Sequence, residues 1–200
     1  MDDARGKEGG VSYLVLPVGA RDHAQGSMEA AVTLLEYGDF ECGHCAEAFP
    51  MVKEITRWLR GELRYAFRHF PVPDKHPHAL GAAEAAEAVG AQGKFWEMHD
   101  LLCERSPVVD TIHLELYAQE LGLDVGRFAR EMRVHAYLEK VREDMTSGVE
   151  SGVTRTPTFF VNGVQYKGEA DLDGLLAAIE EAGNQAIGGT NRLAGQRSRH

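Results

Sequence analysis

The fold of this 200-residue chain is decided by one stretch, Glu36-Tyr37-Gly38-Asp39-Phe40-Glu41-Cys42-Gly43-His44-Cys45, which contains two of its three cysteines. The mostly apolar segment 32–35 precedes it and is typical of a buried strand. Beyond it, apolar residues recur every three or four positions, as on one face of a helix: Phe49, Val52, Ile55 and Leu59. The two cysteines are therefore predicted to lie where a strand, Ala31–Tyr37, passes into a helix, Cys45–Arg60.

The start of a helix is a favourable place for reactive sulfur. Unpaired N–H groups of the first turn and the positive end of the helix dipole stabilise a thiolate. The pKa of a thiol, about 8.5 in water, can fall to roughly 3.5–7.5 in such a position. Cys42 and Cys45 are three residues apart, so their sulfurs share a helix face and can close a disulfide. The spacing predicts a redox pair.

Within this pair the residue closer to the helix start, Cys42, is the expected nucleophile, and Cys45 is expected to resolve the mixed disulfide. His44 lies between them. As an imidazolium it would favour the Cys42 thiolate further; the alternative is a solvated turn residue. The neighbouring carboxylate of Glu41 is expected to oppose the thiolate.

The alternative for a Cys-x-x-Cys motif is half of a structural zinc site. Such a site needs a second pair of ligands, and the remaining cysteine, Cys103, stands alone. His76 and His78 are available, but their spacing matches no common zinc finger. The residues favour a redox pair, with no metal and no cofactor. Cys103 is predicted to be buried and not catalytic.

Composition limits the classes of partner. The chain has 21 basic and 31 acidic residues, a net charge of −10, which argues against nucleic acid as the main partner. No apolar run approaches the ~20 residues that span a bilayer, so membrane insertion is not expected. The polar segment 1–10 is not a signal peptide. As given, the chain is expected in the cytoplasm, or in the periplasm if an export signal has been removed.

The rest of the chain alternates between sheet and helix patterns. Residues 11–18 suggest a short strand and 22–26 a turn. Leu63, Tyr65 and Phe67 alternate with polar or small residues, which predicts a second strand and a right-handed βαβ unit. Residues 76–147 are helical in pattern. A strand, Thr158–Val161, a type I′ turn at Asn162-Gly163 and a helix ending at Gly183 then complete the chain.

Three segments give this order a resemblance to known proteins. Cys42-Gly43-His44-Cys45 is the tetrad of protein disulfide isomerase, and the stretch Glu36–Cys45 resembles the active-site segment of the thioredoxin superfamily. With residues 64–71 and the segment Thr156–Gly163, the chain more closely resembles bacterial DsbA-type thiol–disulfide oxidoreductases, over about Asp22 to Ala182.

The resemblance implies an α/β fold, a thioredoxin-like domain interrupted by an all-helical subdomain. The domain would comprise 11–75 and 148–183, the helical insertion 76–147, and 1–10 with 184–200 would be disordered tails. It also implies two functional features. Glu36 would be a buried carboxylate that exchanges a proton with Cys45. Thr156–Pro157 would be a cis bond facing the cysteines, leaving the Thr156 backbone to pair with substrate.

The function that follows is a thiol–disulfide oxidoreductase that exchanges a Cys42–Cys45 disulfide with substrate thiols through a mixed disulfide. Expected partners are cysteine-containing proteins or peptides and a redox partner, which could be glutathione, a thioredoxin-type protein or a membrane oxidase. One alternative is a reductase or isomerase in a reducing cytosol. The other is a non-enzymatic module that binds metal or a partner.

Overall fold

The computed structural model describes residues 11–197, with side chains as far as Ala186. The described elements are, in chain order, β1 (His23–Gln25), β2 (Val32–Gly38), α1 (Gly43–Trp58), β3 (Leu63–His69), α2 (Ala79–Gly90), α3 (Phe95–Arg105), α4 (Thr111–Glu120), α5 (Val125–Arg133), α6 (Leu138–Glu150), β4 (Thr158–Val161), β5 (Val164–Gln165) and α7 (Leu172–Arg197). No helix in this part of the chain is long and apolar enough to cross a membrane.

The strands form one mixed sheet in the order β1-β3-β2-β4-β5. β2 lies at its centre, parallel to β3 and antiparallel to β4. In this register Glu36 faces Phe67 on one side and Phe159 on the other. The parallel pair is joined through α1, which is the βαβ unit that the sequence predicts. The predicted fold class, a thioredoxin-like sheet with a helical insertion, is confirmed.

Alternate residues of β2 belong to different cores, because side chains along a strand point to opposite faces. Leu34 packs with α1 and α7 through Ile55 and Leu175. Leu35 and Tyr37 pack on the other face with Phe160. Glu36 therefore shares the face of Leu34, the one that α1 covers.

Helices α2–α6 lie between β3 and β4 in the chain. Their core is shared with the sheet half, since Phe40, Phe49 and Phe67 belong to the same buried cluster as Met98 and Leu114. The insertion covers apolar surface of β3 and α1 that would otherwise meet water. The division of the chain into two units stays a prediction.

Two short predictions near the N-terminus are wrong. The segment expected to be a turn contains β1, whose residues His23–Gln25 pair antiparallel with β3. Residues 11–18, expected to be a strand, make a single bridge, Tyr13 to Val164. Their backbone is bound elsewhere: Leu14 N–H donates to the Gly163 carbonyl at 2.8 Å and Val15 N–H to the Ser151 hydroxyl at 3.0 Å.

The predicted tail from residue 184 is also wrong as far as Arg197, because α7 continues to that residue. A glycine ends a helix where its backbone takes a positive φ. Gly183 is not among the glycines with positive φ, so the helix passes through it. The predicted turn at Asn162-Gly163 is confirmed, with φ of 48° and 80°. Residues 1–10 and 198–200, also predicted as tails, lie outside the described residues.

Candidate active site

The two sulfurs lie at the N-terminus of α1. Cys42 occupies the N-cap position with an extended backbone, φ −79° and ψ 117°. Its carbonyl accepts from the N–H of Cys45 at 3.0 Å and of Ala46 at 3.1 Å, which begins the helix. Both side chains are nearly buried, with exposed fractions of 6% for Cys42 and 5% for Cys45, and both are free thiols.

The environment favours the Cys42 thiolate. A hydrogen bond from the Cys45 side chain contributes most to lowering the pKa of Cys42, to about 4. Burial works in the opposite direction, and hydrogen bonds from the Thr156 side chain and from the backbone N–H groups of Cys45 and His44 lower the pKa further. Donors at a helix start thus stabilise the charge, as the sequence analysis expects.

The other two thiols are held protonated. The hydrogen bond to Cys42 raises the pKa of Cys45 well above its ordinary value, and burial and the nearby Glu36 raise it further. Burial likewise raises the pKa of Cys103. Cys103 lies buried in α3, against the insertion's core. At neutral pH the chain therefore carries a single thiolate sulfur, on Cys42.

Glu36 lies buried on β2, with 5% of its surface exposed. Burial raises the pKa of its carboxyl group to about 7, although a hydrogen bond from the Tyr65 hydroxyl, 2.8 Å long, acts in the opposite direction. The negative charge of Cys42 raises this pKa as well. A carboxyl group that titrates near neutrality can both accept and donate a proton there.

Thr156 and Pro157 lie directly before β4, more than 100 positions after the cysteines in sequence, and are next to the sulfurs in the fold. Their peptide bond is cis. The Thr156 carbonyl oxygen lies 3.6 Å from Cys42 Sγ and accepts a hydrogen bond from the thiol form. The fold thus brings together four predicted site residues that are up to 120 positions apart in sequence, Glu36, Cys42, Cys45 and Thr156, with Pro157 beside them.

The side chain of His44 is exposed and lines the same groove as Cys42. What the structure adds is the backbone contribution, since the His44 N–H is one of the groups that lower the pKa of Cys42. The predicted contribution of the imidazolium stays a prediction.

Asp39 is a site residue that sequence reasoning missed. Its buried carboxylate ties the cysteine loop to the segment after β3: Oδ1 accepts from Glu41 N–H at 2.8 Å, and Oδ2 from Val72 N–H at 2.9 Å. Oδ2 also lies 2.7 Å from His76 Nδ1. An aspartate two residues after a predicted strand looks like any turn residue, and only the fold reveals its partners.

The carboxylate of Glu41, expected from the sequence to oppose the Cys42 thiolate, is bound to another part of the chain. Its Oε2 accepts a 2.7 Å hydrogen bond from the backbone N–H of His78, the N-cap of α2. Glu41 is absent from the principal causes of the Cys42 pKa. The expected opposition to the thiolate is therefore small, because the charge is bound at another helix start.

Cys42 opens into a groove of about 710 Å³. One wall comes from α1 and the segment after β3, with His44, Lys75 and His76. The facing wall comes from the segment Thr154–Phe159 and the loop after β5, residues 165–170. The cysteine pair thus lies in a cleft bordered by backbone that precedes β4.

Of the candidate ligands for the alternative zinc site, His76 has another partner in the described residues, since its Nδ1 lies 2.7 Å from Asp39 Oδ2. One buried group with metal-binding atoms does occur there, His69, Glu87 and Asp144. Lys140 forms ion pairs with both carboxylates: its Nζ lies 2.6 Å from both Asp144 oxygens and 3.9 Å from Glu87 Oε1.

A family model described as thioredoxin matches residues 20–181, most of the chain. The chain belongs to the thioredoxin family. Among solved structures it is similar to BdbD of Bacillus subtilis, with 23% identity over 87% of this chain and 98% of that one and a TM-score of 0.78. The alpha-DsbA1 of Wolbachia pipientis is also 23% identical, over 87% and 96%, with a TM-score of 0.72.

A thioredoxin-like oxidoreductase from Silicibacter pomeroyi is 25% identical over 82% of this chain and 93% of that chain, with a TM-score of 0.73. The predicted membership of the thioredoxin superfamily is confirmed, and the chain shares its fold with the DsbA-type structure from Wolbachia. The family and the fold agree with the prediction of a DsbA-like oxidoreductase, and its activity, substrates and reaction steps stay predictions.

The curated relatives are much longer proteins than this chain. The Na(+)/H(+) antiporter NhaA 1 of Salinispora arenicola is 44% identical over 174 residues, which is 86% of this chain and 26% of the antiporter. The antiporter NhaA of Herminiimonas arsenicoxydans is 42% identical over 159 residues, 80% of this chain and 25% of that protein. The chain thus spans about a quarter of the length of the curated relatives it matches.

Proposed function

We propose that the protein is a thiol–disulfide oxidoreductase that exchanges a Cys42–Cys45 disulfide with substrate thiols. One observation carries the proposal: the pKa of Cys42 is lowered, whereas the pKa of the neighbouring Cys45 is raised. The pKa of Cys42 is about 4, whereas that of Cys45 lies well above its ordinary value. A low-pKa thiolate is a good leaving group from a disulfide, and its stability makes the disulfide form oxidising.

Oxidation of a substrate dithiol then runs in two exchanges. A substrate thiolate attacks Cys42 Sγ of the disulfide, forming a mixed disulfide and releasing Cys45 as a thiolate. Because Cys45 has a high pKa, it takes up a proton, and the buried Glu36 carboxyl group is the proposed donor. The second substrate thiolate attacks the first substrate sulfur, which closes the substrate disulfide and releases Cys42 as its stable thiolate.

Substrates are proposed to bind in the groove beside Cys42 as extended chain. The peptide groups around Thr156, next to Cys42 Sγ, offer hydrogen-bonding partners for a substrate backbone. The proposed substrates are cysteine-containing proteins or peptides, and glutathione, a thioredoxin-type protein or a membrane oxidase would exchange electrons with the enzyme. The same steps run in reverse would make it a reductase or isomerase.

Trapping of mixed disulfides tests this proposal. In a Cys45→Ala variant the sulfur that releases the partner is missing. When the Cys42 thiolate attacks a model peptide disulfide and the other peptide sulfur leaves as a thiolate, the mixed disulfide should therefore accumulate on non-reducing gels. Cys42→Ser should trap few partners and lose turnover, and Cys103→Ser should behave as the parent does. If Cys42→Ser traps and Cys45→Ala does not, the two roles are reversed. Loss of bound zinc from both variants without trapping would contradict the proposal.

A second candidate function is suggested by the antiporters that contain a segment similar to this chain. Relatives named Na(+)/H(+) antiporters contain a segment 44% identical to this chain within proteins about four times its aligned length. We infer that this module can act beside an antiporter and couple its ion exchange to thiol redox state. The test is ion exchange by the Salinispora antiporter in vesicles, before and after reduction, with the segment that matches this chain present or removed. Identical exchange under all four conditions would exclude the coupling.

A further inference from the structure

His76 forms part of the wall of the groove that contains Cys42. It belongs to the segment after β3, and Pro157 lies in the facing wall. Of the His76 side chain, 22% is exposed. Its backbone N–H donates to the Val72 carbonyl at 2.9 Å, which holds the residue in a turn. A histidine is thus fixed in the cleft where a substrate sulfur must approach Cys42.

The buried carboxylate of Asp39 orients the His76 ring. Its Oδ2 lies 2.7 Å from His76 Nδ1, and the same oxygen accepts from the Val72 N–H at 2.9 Å. A carboxylate only accepts hydrogen bonds, so Nδ1 carries a proton, and in the neutral ring the lone pair belongs to Nε2. Nε2 has no hydrogen-bonding partner in the described part of the chain. The free nitrogen of the ring is therefore the one that can exchange a proton with a bound molecule.

Asp39 also connects this ring to the cysteine pair. Its backbone N–H donates to Cys45 Sγ at 3.5 Å, so one residue holds both the histidine and the resolving sulfur. His76 is absent from the principal causes of the lowered pKa of Cys42. The nucleophile therefore does not depend on this imidazole, which leaves the ring free to act on the sulfur of the substrate.

The other histidine that lines the groove, His44, is not oriented in this way. Its side chain is exposed, and among the described residues it has no hydrogen-bonding partner. A general base must reach the proton in a defined geometry, and a carboxylate behind the imidazole fixes both its orientation and its tautomer. Of the two histidines, His76 is the one that has such a carboxylate.

From this geometry we propose that His76 is the general base and acid for the substrate sulfur, with Asp39 as its positioning residue. The proposal rests on the proposed oxidoreductase function and adds the group that accepts the protons of the substrate. Nε2 takes the proton of a substrate thiol while the thiol sulfur bonds to Cys42 Sγ, and Cys45 leaves with the electron pair of the broken disulfide bond.

The imidazolium then gives this proton to solvent, and Nε2 takes the proton of the second substrate thiol. That sulfur attacks the first substrate sulfur and releases Cys42 as a thiolate. In the reverse direction the imidazolium protonates the substrate sulfur that leaves. The role of His76 is therefore largest for leaving sulfurs that need a proton.

The reverse direction gives the sharper test, because a probe disulfide can be chosen by its leaving group. Dithiodipropionate and dithiobis(nitrobenzoate) each carry two carboxylates, so a change in the charge of the groove acts alike on both. The Cys42 thiolate bonds to one probe sulfur, and the other probe sulfur leaves with the electron pair. Cys45 then attacks Cys42 Sγ and releases the remaining probe sulfur, so the protein loses two electrons and the probe gains them.

The two probes differ in what their leaving sulfurs need. An alkyl thiolate takes up a proton at neutral pH, since thiols titrate at about 8.5 in water. A nitro-substituted aromatic thiolate is stable without a proton. The measured quantities are the rate constants at which each probe oxidises the reduced protein at neutral pH.

His76→Asn keeps an N–H donor near the position of Nδ1, where Asp39 accepts, and removes the basic nitrogen. It should slow oxidation by dithiodipropionate between about tenfold and about 10²-fold and leave oxidation by dithiobis(nitrobenzoate) unchanged. His76→Gln should give the same selective loss. A purely structural role of His76 would not distinguish the two probes.

His113→Asn is the matched control, because His113 also has a carboxylate partner, Asp110, whose Oδ2 lies 2.6 Å from its Nδ1. His113 lies in α4 and is not among the residues that line the groove of Cys42. Both of its rate constants should equal those of the parent. If the two His76 variants change neither rate constant, or slow both probes alike, the role of His76 is wrong and the proposed function stands. If neither probe oxidises the cysteine pair of the parent, the proposed function is wrong, and this inference with it.

Discussion

Glu36 has no cation paired with it in the described part of the chain, and its hydrogen-bonding partner is the neutral Tyr65 hydroxyl. Burial raises the pKa of its carboxyl group from 4.5 to about 7. The folded protein therefore binds a proton that the unfolded chain has lost, over the window between these two values. Its free energy of unfolding falls as the pH rises through this window, by about 3 kcal/mol in total.

Glu36→Gln should remove this pH dependence, since the amide does not ionise and its oxygen can still accept from Tyr65. Relative to the parent, the variant should gain about 3 kcal/mol in the free energy of unfolding between pH 4 and pH 8. Urea unfolding of both reduced proteins at the two pH values measures this. Parallel pH profiles for the parent and the variant would show that the carboxyl group has an ordinary pKa.

The same variant has a kinetic consequence that a structural role would not produce. If Glu36 exchanges a proton with Cys45, resolution of a mixed disulfide should slow by on the order of 10²-fold. The reduction potential of the pair should change little by comparison, because both sulfurs remain. Equal turnover of the parent and the variant from pH 6 to pH 9 would remove Glu36 from the mechanism.

At the scale of elements, α6 touches the sheet through a glycine. A Cβ on Gly148 would lie 2.7 Å from Cδ2 of Phe70 and 3.1 Å from Cε1 of Tyr37. Both rings are buried and have little room to move. Gly148→Ala should therefore lower the free energy of unfolding by about 1–3 kcal/mol, even though alanine is the better helix former.

Gly81 in α2 gives the matched control, because a Cβ there meets nothing within 4 Å. Gly81→Ala should raise stability by up to about 1 kcal/mol through helix propensity alone. Denaturant unfolding of the two variants separates the effects. A Gly148→Ala protein as stable as Gly81→Ala would mean that α6 can move away from the sheet.

The elements that the sequence predicts well are those with strong local signals. The period of apolar residues locates α1, and strict alternation locates β3, whereas Asn162-Gly163 determines its turn by its own backbone preference. β1 is missed because three residues carry too little pattern, and its existence depends on pairing with β3. The site divides in the same way. The spacing of Cys42 and Cys45 predicts their role. The roles of Asp39 and Tyr65 depend on hydrogen-bonding partners that are distant in sequence, so the sequence does not predict them.

At the scale of the whole molecule, the insertion and the sheet share one buried cluster, in which Phe40, Phe49 and Phe67 contact residues of α2–α5. Removing either half would expose these rings to water. We therefore expect the protein to unfold in one cooperative step, although it is built from two differently patterned halves.

The chain has two tryptophans, one in each half: Trp58 in α1 and Trp96 in α3. Trp58→Phe leaves Trp96, which lies in α3 and also packs on Tyr65 of β3, and Trp96→Phe leaves Trp58 in the sheet half. For each variant, the urea transition followed by fluorescence should coincide with the one followed by circular dichroism. A fluorescence midpoint that departs from the circular dichroism midpoint in either variant would show that the halves unfold separately.

The contact between Cys42 and the Thr156 carbonyl joins residues 114 positions apart. A ribosome adding 5–20 residues per second needs on the order of ten seconds to make the intervening chain. The residues of β2, α1 and β3 are made early in this interval, whereas those of β4 are made only at its end. A nascent chain therefore contains Cys42 and the residues of α1 before it contains the segment Thr154–Phe159, which forms the facing wall of the groove. For those seconds the sulfur of Cys42 lacks the wall that covers it in the folded protein.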